Sequence, residues 1–476
     1  MTSVQEDAGL SANTEIREGD YGDKVAVIEP GGAEFIPLNE RHGTPTRLFW
    51  TWMSPNFEFA TVFVGVLAIA AFGETFSQAV AAIVLGTVLG SITHAALSAR
   101  GPEYGVPQMI LSRISFGYWG NALPAGINAL VAGIGWFAVN SVSGALALST
   151  LIHLNKYACL VIIVVVQIAV AFYGHNLVHL FEKVVFPLLV VSFALGAIWT
   201  FSKAHFSGTP QVPFTQGGIG GFTLTLGATF GYACGWNPYA SDYTRYMAPS
   251  SDRRATGWWA GFGVALSCIA LEILGAASAT VTGAGGLDGP APFVHPYPTV
   301  VKDLVLLSIA VGAIAANALN IYSGAISFTA LGIKIPLTLR RALVAGVFGV
   351  AGFVLAAVGL NHISEYENFL LIIAYWIGPW LAVFFVDQLI NKGNHADVLY
   401  DHKYTNWAGP IAMAIGMAVS IPLFANQYPK YIAVLANRHP AIGDLTFEVG
   451  FVVAAVVYFV LYKAGLGPRR RAAASR

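Results

Sequence analysis

Long apolar runs alternate with short polar connectors along this chain. A helix needs roughly 20 consecutive apolar residues to cross a bilayer core, and on that measure the pattern predicts about twelve spans. In the first half they cover 48–73, 77–99, 120–150, 156–174, 180–202 and 221–243. In the second half they cover 255–282, 300–330, 339–361, 366–390, 406–426 and 445–464. Two of these runs are interrupted. The first carries Trp52-Met53-Ser54-Pro55-Asn56-Phe57-Glu58, and the sixth carries Gly231-Tyr232-Ala233-Cys234-Gly235-Trp236-Asn237-Pro238. A proline at that depth frees backbone groups that find no water, so the break survives only where it lines a cavity or is buried in protein.

The two breaks are five spans apart, an odd number, so the two five-span units have opposite topology. That is the five-plus-five inverted repeat of LeuT-type transporters, whose sites lie between broken helices. The expected fold is therefore an all-α integral membrane protein with broken helices one and six. Repeat one covers about 48–202, repeat two about 221–390, and two extra helices about 406–464. Together they make a transporter domain over 47–465, flanked by a polar tail over 1–46 and a basic tail over 466–476.

Composition agrees. Hydrophobic residues make up 56% of the chain and charged residues 11%, far below the roughly 25% charged of soluble domains. A soluble enzyme is excluded. The net charge of zero gives no reason to expect nucleic acid, and nothing points to an obligate protein partner. Residues 1–46 are polar and acidic, without the apolar core of a cleavable signal, and are expected to be a largely disordered tail. Cys159, Cys234 and Cys268 sit in apolar stretches without metal spacing and read as small buried hydrophobes.

Of the 25 Lys and Arg residues, only Lys156, Lys203, Lys302, Lys430 and Arg438 fall on one side of the expected spans. The excess of positive charge on the other side places both termini in the cytoplasm and suits a multi-pass plasma-membrane protein.

Several polar residues stand inside apolar helices. Trp136 and Asn140 are four apart and share a helical face. A large ring beside an amide suits a flat heteroaromatic ligand, since stacking a base on an aromatic is worth ~1–3 kcal/mol. Ordinary packing and interhelical bonding fit the same two residues. Asn317 and Asn320 share a face of the eighth span, either as ligand groups or as interhelical glue, because a bare amide in hydrocarbon is costly. Trp236, Asn237 and Tyr232 stand at the sixth-span break among Gly227, Gly231 and Gly235.

In this order and spacing the pieces resemble the nucleobase:cation symporter family one, the purine-cytosine permeases. The resemblance covers roughly residues 38 to 465. It is carried by Pro37-Leu38, by Trp52-Met53-Ser54-Pro55-Asn56-Phe57, and by Gly101-Pro102-Glu103-Tyr104-Gly105 followed by Ser112-Arg113-Ile114-Ser115-Phe116-Gly117. Gly135-Trp136 with Asn140, Gly235-Trp236 to Ala240-Ser241-Asp242-Tyr243, and Ala316-Asn317 to Asn320-Ile321-Tyr322-Ser323 complete it. The resemblance implies a ligand between Trp136 and Trp236, with Tyr232 as the alternative second aromatic. Asn140 and Asn320 would pair with its polar edge, assisted by Asn56 and Asn317. It implies a nucleobase substrate, closest to purines and cytosine, with allantoin, hydantoins, uracil and pyridoxine also within the family's range.

Sodium-coupled relatives hold their ion between carbonyls of the first break and hydroxyls of the eighth span. Trp52 and Pro55 could still offer carbonyls, but Val311-Gly312-Ala313-Ile314-Ala315 has no Ser or Thr. No cofactor is expected, and the proton is favoured over sodium as the coupling ion. A proton symporter needs a titratable group exposed alternately to each side. Glu58 is the first candidate and Glu272 the second, the alternative for each being a structural acid. Asp242, Asp387 and Arg113 are expected to bond backbone or basic loops, and His94 to be structural. Among rival readings, a channel lacks rings of like charge. A membrane enzyme would have only His362, Glu365 and Glu367, which lack metal spacing. A non-transporting receptor on the same scaffold would bind ligand without concentrating it.

Overall fold

The computed structural model describes residues 13–207, 218–333, 337–362, 372, 375–425 and 433–470. The first span is a bent pair, α1 (Arg47–Met53) and α2 (Phe59–Ala70), turned by 60° at the break. Pro55 opens a single 3-10 turn there, and Glu58 is fully extended, so the helix restarts in a new direction. Then come α3 (Phe76–Ser98), three short helices between Gly101 and Phe116, and α4 (Ala122–Ile152) with a π-helical stretch over Val131–Trp136. α5 (Lys156–Tyr173) and α6 (His175–Lys203) follow.

The sixth span is also broken. α7 (Gly218–Cys234) stops, a 3-10 turn over Asn237–Tyr239 intervenes, and α8 (Ala240–Thr244) resumes. α9 (Arg253–Thr282), α10 (Thr299–Thr329), α11 (Leu337–Gly359), α12 (Ile377–Ile390), α13 (Ala408–Ser420) and α14 (Thr446–Leu461) complete the bundle. Among the described residues, seven helices are long and apolar enough to cross a membrane, and the bent pair α1–α2 makes an eighth. α12 and α13 are shorter apolar helices. The expected tenth span begins at 366, and its first residues lie outside the described ones, as do Glu365 and Glu367.

Packing divides the helices into groups. α1, α2, α3, α7 and α9 pack on one another, while α4, α5, α10 and α11 form a second group and α12, α13 and α14 a third. The first two groups meet at the breaks. Small residues allow close approach: a methyl on Gly324 of α10 would sit 2.9 Å from Gly133 N of α4. Cys159, Cys234 and Cys268 are buried and unpaired with one another.

The expected disordered tail is corrected from residue 13 onward. Arg17, Tyr21, Glu29, Phe35, Ile36 and Glu40 are buried. The segment straps one end of the bundle, because its acids meet basic and hydroxyl groups there. The Glu29 carboxylate accepts from the His175 amide at 2.8 Å, from Tyr322 at 3.1 Å, and from Tyr246, and pairs with Arg245 at 3.4 Å. Arg17 pairs with Glu40 at 2.7 Å. The polar composition serves a charge network rather than disorder. Tyr400 donates to Ala33 O at 2.8 Å, and Tyr404–Thr405 pairs with Arg469–Arg470 as a two-stranded ribbon. Both described ends of the chain therefore lie at the same end of the bundle.

Candidate functional site

A cavity of about 290 Å³ lies where the two breaks face α4 and α10. Its walls are Pro55, Trp136, Asn140, Tyr232, Gly235, Trp236, Ala316 and Asn320. Trp136, Asn140, Trp236, Asn320 and Tyr232, five of the seven residues expected to touch a ligand, are thus brought together. Tyr232 packs edge-on against Trp136, with ring centroids 5.8 Å apart. Trp236 packs edge-on against Trp52 at 5.9 Å. Among the described residues no ring contact joins Trp136 to Trp236.

Asn56 and Asn317 stand behind these walls and not on them. Asn56 Oδ1 accepts from Trp236 Nε1 at 2.9 Å, while its amide donates to Trp52 O at 2.8 Å and Ser267 Oγ at 2.9 Å. It fixes the indole instead of facing the cavity. Asn317 donates to the Phe137 carbonyl at 2.9 Å and to Gln167 Oε1 at 2.9 Å. A main-chain carbonyl can only accept, so the Asn317 amide nitrogen is held on that side. Its Oδ1 then receives the amides of Asn140 at 3.2 Å and Asn320 at 3.3 Å. Both cavity asparagines consequently spend an N–H on Asn317. Asn140 Oδ1 is left buried without a partner among the described residues, an acceptor ready for a ligand donor.

Glu58 is buried one layer from the cavity. Ser143 donates to its Oε2 at 3.1 Å, and Tyr232, itself a cavity wall, bonds Oε1 at 3.1 Å. The Tyr232 hydroxyl also meets Thr61 Oγ1 at 2.6 Å, and Thr61 donates to the Asn56 carbonyl at 2.6 Å. A continuous chain of oxygens therefore joins the acid to the first break. Glu272 accepts from Thr87 at 2.7 Å, between α9 and α3, and is not a wall of the cavity.

The weaker sodium candidates divide. Pro55 lines the cavity, whereas the Trp52 carbonyl is taken by Asn56. Asp242 accepts from the Gln108 backbone at 2.9 Å, and Arg113 donates to the carbonyls of Leu399 and Ala330, as expected. Asp387 instead accepts from the side chains of Ser115, Asn391 and Tyr458. His94 packs edge-on against Trp52 at 4.2 Å.

Ser143, Thr61, Ser267 and Gln167 were not among the expected site residues. Gln167 carried a usable signal, as a lone amide in the run Val164-Val165-Val166-Gln167-Ile168. The hydroxyls carried none, because Ser and Thr bond their own helix backbone throughout membrane helices.

Residues 35–450 match the family model described as permease for cytosine/purines, uracil, thiamine, allantoin. The chain is 29% identical to YxlA of Bacillus subtilis strain 168, over 93% of this chain and 97% of that protein. It is 28% identical to the purine-cytosine permease fcyB of Emericella nidulans, over 91% and 88%. In fold it is similar to Mhp1, a nucleobase-cation-symport-1 family transporter solved in a closed conformation with bromovinylhydantoin bound. That similarity has a TM-score of 0.66 at 18% identity, covering 92% of this chain and 95% of Mhp1.

Proposed function

Because the chain belongs to the family of permeases for cytosine/purines, uracil, thiamine and allantoin, we propose that it imports a purine base or cytosine by proton symport. The observation that carries this reading is the cavity wall, where two tryptophans, a tyrosine and two asparagines converge at the two helix breaks. Such a wall suits a planar base. The rings supply stacking faces, and the amide oxygens of Asn140 and Asn320 accept from its N–H groups.

Hydrogen counting supports the proton as coupling ion. Thr61 spends its one hydrogen on the Asn56 carbonyl, so the Thr61–Tyr232 contact requires the hydrogen of Tyr232. The Tyr232–Glu58 contact is then complete only when Glu58 itself carries a hydrogen. Ionised Glu58 would turn Tyr232 around and break the chain leading to the first helix break. Protonation of Glu58 is thereby tied to the geometry of a cavity wall.

Transport proceeds by alternating access, with the group of α1, α2, α3, α7 and α9 rocking against α4, α5, α10 and α11. The charge bias of the loops puts both termini, and the strap, on the cytoplasmic side of the plasma membrane. The test is uptake of labelled base by membranes carrying Asn140→Ala or Asn320→Ala. Both variants are expected to reach the membrane and to lose uptake. Wild-type rates in both would refute the site.

A further inference from the structure

A second and larger cleft has no part in the mechanism above. It measures about 850 Å³ and lies at the strap end of the bundle, between the strap, the start of α1 and the start of α6. His42 of the strap, Arg47 and Trp50 of α1, and His175, His179 and Lys183 of α6 line it.

The lining is cationic. His42 Nδ1 contacts Glu40 O at 2.9 Å, and its Nε2 contacts Asn176 Oδ1 at 2.9 Å. The Asn176 amide nitrogen donates to the carbonyls of Gly22 and Lys24, each at 3.0 Å, so the atom that faces His42 is the oxygen. Both nitrogens of His42 therefore meet acceptors, and only the imidazolium completes both bonds. Arg47 and Lys183 are exposed, and among the described residues neither forms an ion pair. Arg47 and His42 are also the charged groups that act on His179. Against these cations stands Asp23, the one acid that lines the cleft among the described residues. His175 Nδ1 is buried in the α6 wall without a hydrogen-bond partner among the described residues.

On its other side the cleft borders lipid. Leu180, which lines it, and Val184 on the next turn of α6 are exposed apolar side chains on the outside of the bundle. Lys183 lies between them in sequence, with its ammonium 5.9 Å from the centre of the Trp50 ring. A tryptophan and a lysine placed so mark headgroup depth, the ring half in the apolar region and the amine reaching out of it.

We propose that this cleft binds the phosphate of an anionic phospholipid between Arg47 of α1 and Lys183 of α6. Basic pockets between membrane helices hold such headgroups by charge. A free phosphate would meet the same cations, but the apolar border of Leu180 and Val184 adds a surface for acyl chains that only the lipid uses. A headgroup held there ties α1 to α6 beside the Thr51–His179 contact at 2.6 Å. The orientation proposed above would put the site in the cytoplasmic leaflet, but binding itself does not depend on that orientation.

The test is the melting temperature of the full chain in neutral detergent, titrated with dioctanoyl phosphatidylglycerol, dioctanoyl phosphatidylcholine or glycerol phosphate. A ligand that binds the native state raises that temperature saturably. Phosphatidylglycerol is expected to do so, and the other two are not. Arg47→Ala and Lys183→Ala should each raise the half-saturating concentration about fivefold. Both side chains are exposed, so the variants should melt like the wild type without lipid. Arg254→Ala removes an exposed cation that does not line the cleft and should bind like the wild type. No shift with phosphatidylglycerol, or an equal one with phosphatidylcholine, would overturn the proposal. Glycerol phosphate binding as tightly as the lipid would overturn it in favour of a soluble anion. An equal loss in Arg254→Ala would reduce the effect to general surface charge and also overturn it.

Discussion

Trp236 Nε1 donates to Asn56 Oδ1 at 2.9 Å, joining the break of the sixth span to the break of the first. The bond aligns an aromatic wall of the cavity with the helix that bends by 60° beside it. Asn56→Ala leaves that indole N–H buried without an acceptor, at a cost of about 1–3 kcal/mol. The expected outcome is a rise of roughly tenfold or more in the concentration for half-maximal uptake, with normal amounts of protein in the membrane. Kinetics of uptake in whole cells and a membrane immunoblot measure both.

Asn317 holds Asn140 and Asn320 with their amide groups turned toward it. Asn317→Leu releases both, so each can rotate and present either edge to the ligand. Wild-type protein should discriminate against bases methylated on a ring nitrogen or on the exocyclic amine, and Asn317→Leu should lose most of that discrimination. Competition of labelled adenine by adenine and by N6,N6-dimethyladenine reads the difference. Unchanged discrimination would contradict the positioning role.

Much of this was legible from residue types and spacing. The two proline breaks, the Trp136–Asn140 face and Asn320 all lie where the structure builds the cavity. Depth was not legible. Asn56 and Asn317 have the same character as Asn140 and Asn320, and only the packing of α1 and α10 turns them away from the cavity. The strap escaped for a different reason. Glu29 and Arg17 read as solvated charges in a polar tail, because their partners Arg245, Tyr246 and Tyr322 are more than 200 residues away.

Glu29 gathers groups from α6, α10 and the segment after α8 under one carboxylate. Glu29→Ala leaves Arg17 and Arg245 short of a buried counter-charge, a loss expected to cost about 3–5 kcal/mol. The variant should melt at a lower temperature in detergent. It should also expose a cysteine placed at Ala33 to a polar thiol reagent added to the detergent-solubilised protein. Wild-type melting and protection would show that the strap does not hold that end of the bundle.

Between the first and second spans, burial pushes the Glu74 carboxyl up to about 7 from its ordinary 4.5. The folded state therefore binds this proton more tightly than the unfolded chain does. Its stabilising effect is present below pH 4.5 and is lost as pH rises through the window to about 7. Glu74→Gln should raise the melting temperature at pH 8 and leave it near the wild-type value at pH 5. A variant less stable than wild type at pH 8 would contradict this.

The central claim is that a base and a proton cross together by way of the cavity and Glu58. The most direct measurement is uptake of labelled hypoxanthine into proteoliposomes under a pH gradient, with and without sodium, by the wild type and by Glu58→Gln. Unlabelled cytosine, adenine, guanine, uracil, allantoin and pyridoxine serve as competitors. The expected result is sodium-independent, gradient-driven accumulation that is blocked by purines and cytosine and absent in Glu58→Gln. Accumulation that needs sodium, or that persists under the pH gradient in Glu58→Gln, would contradict it.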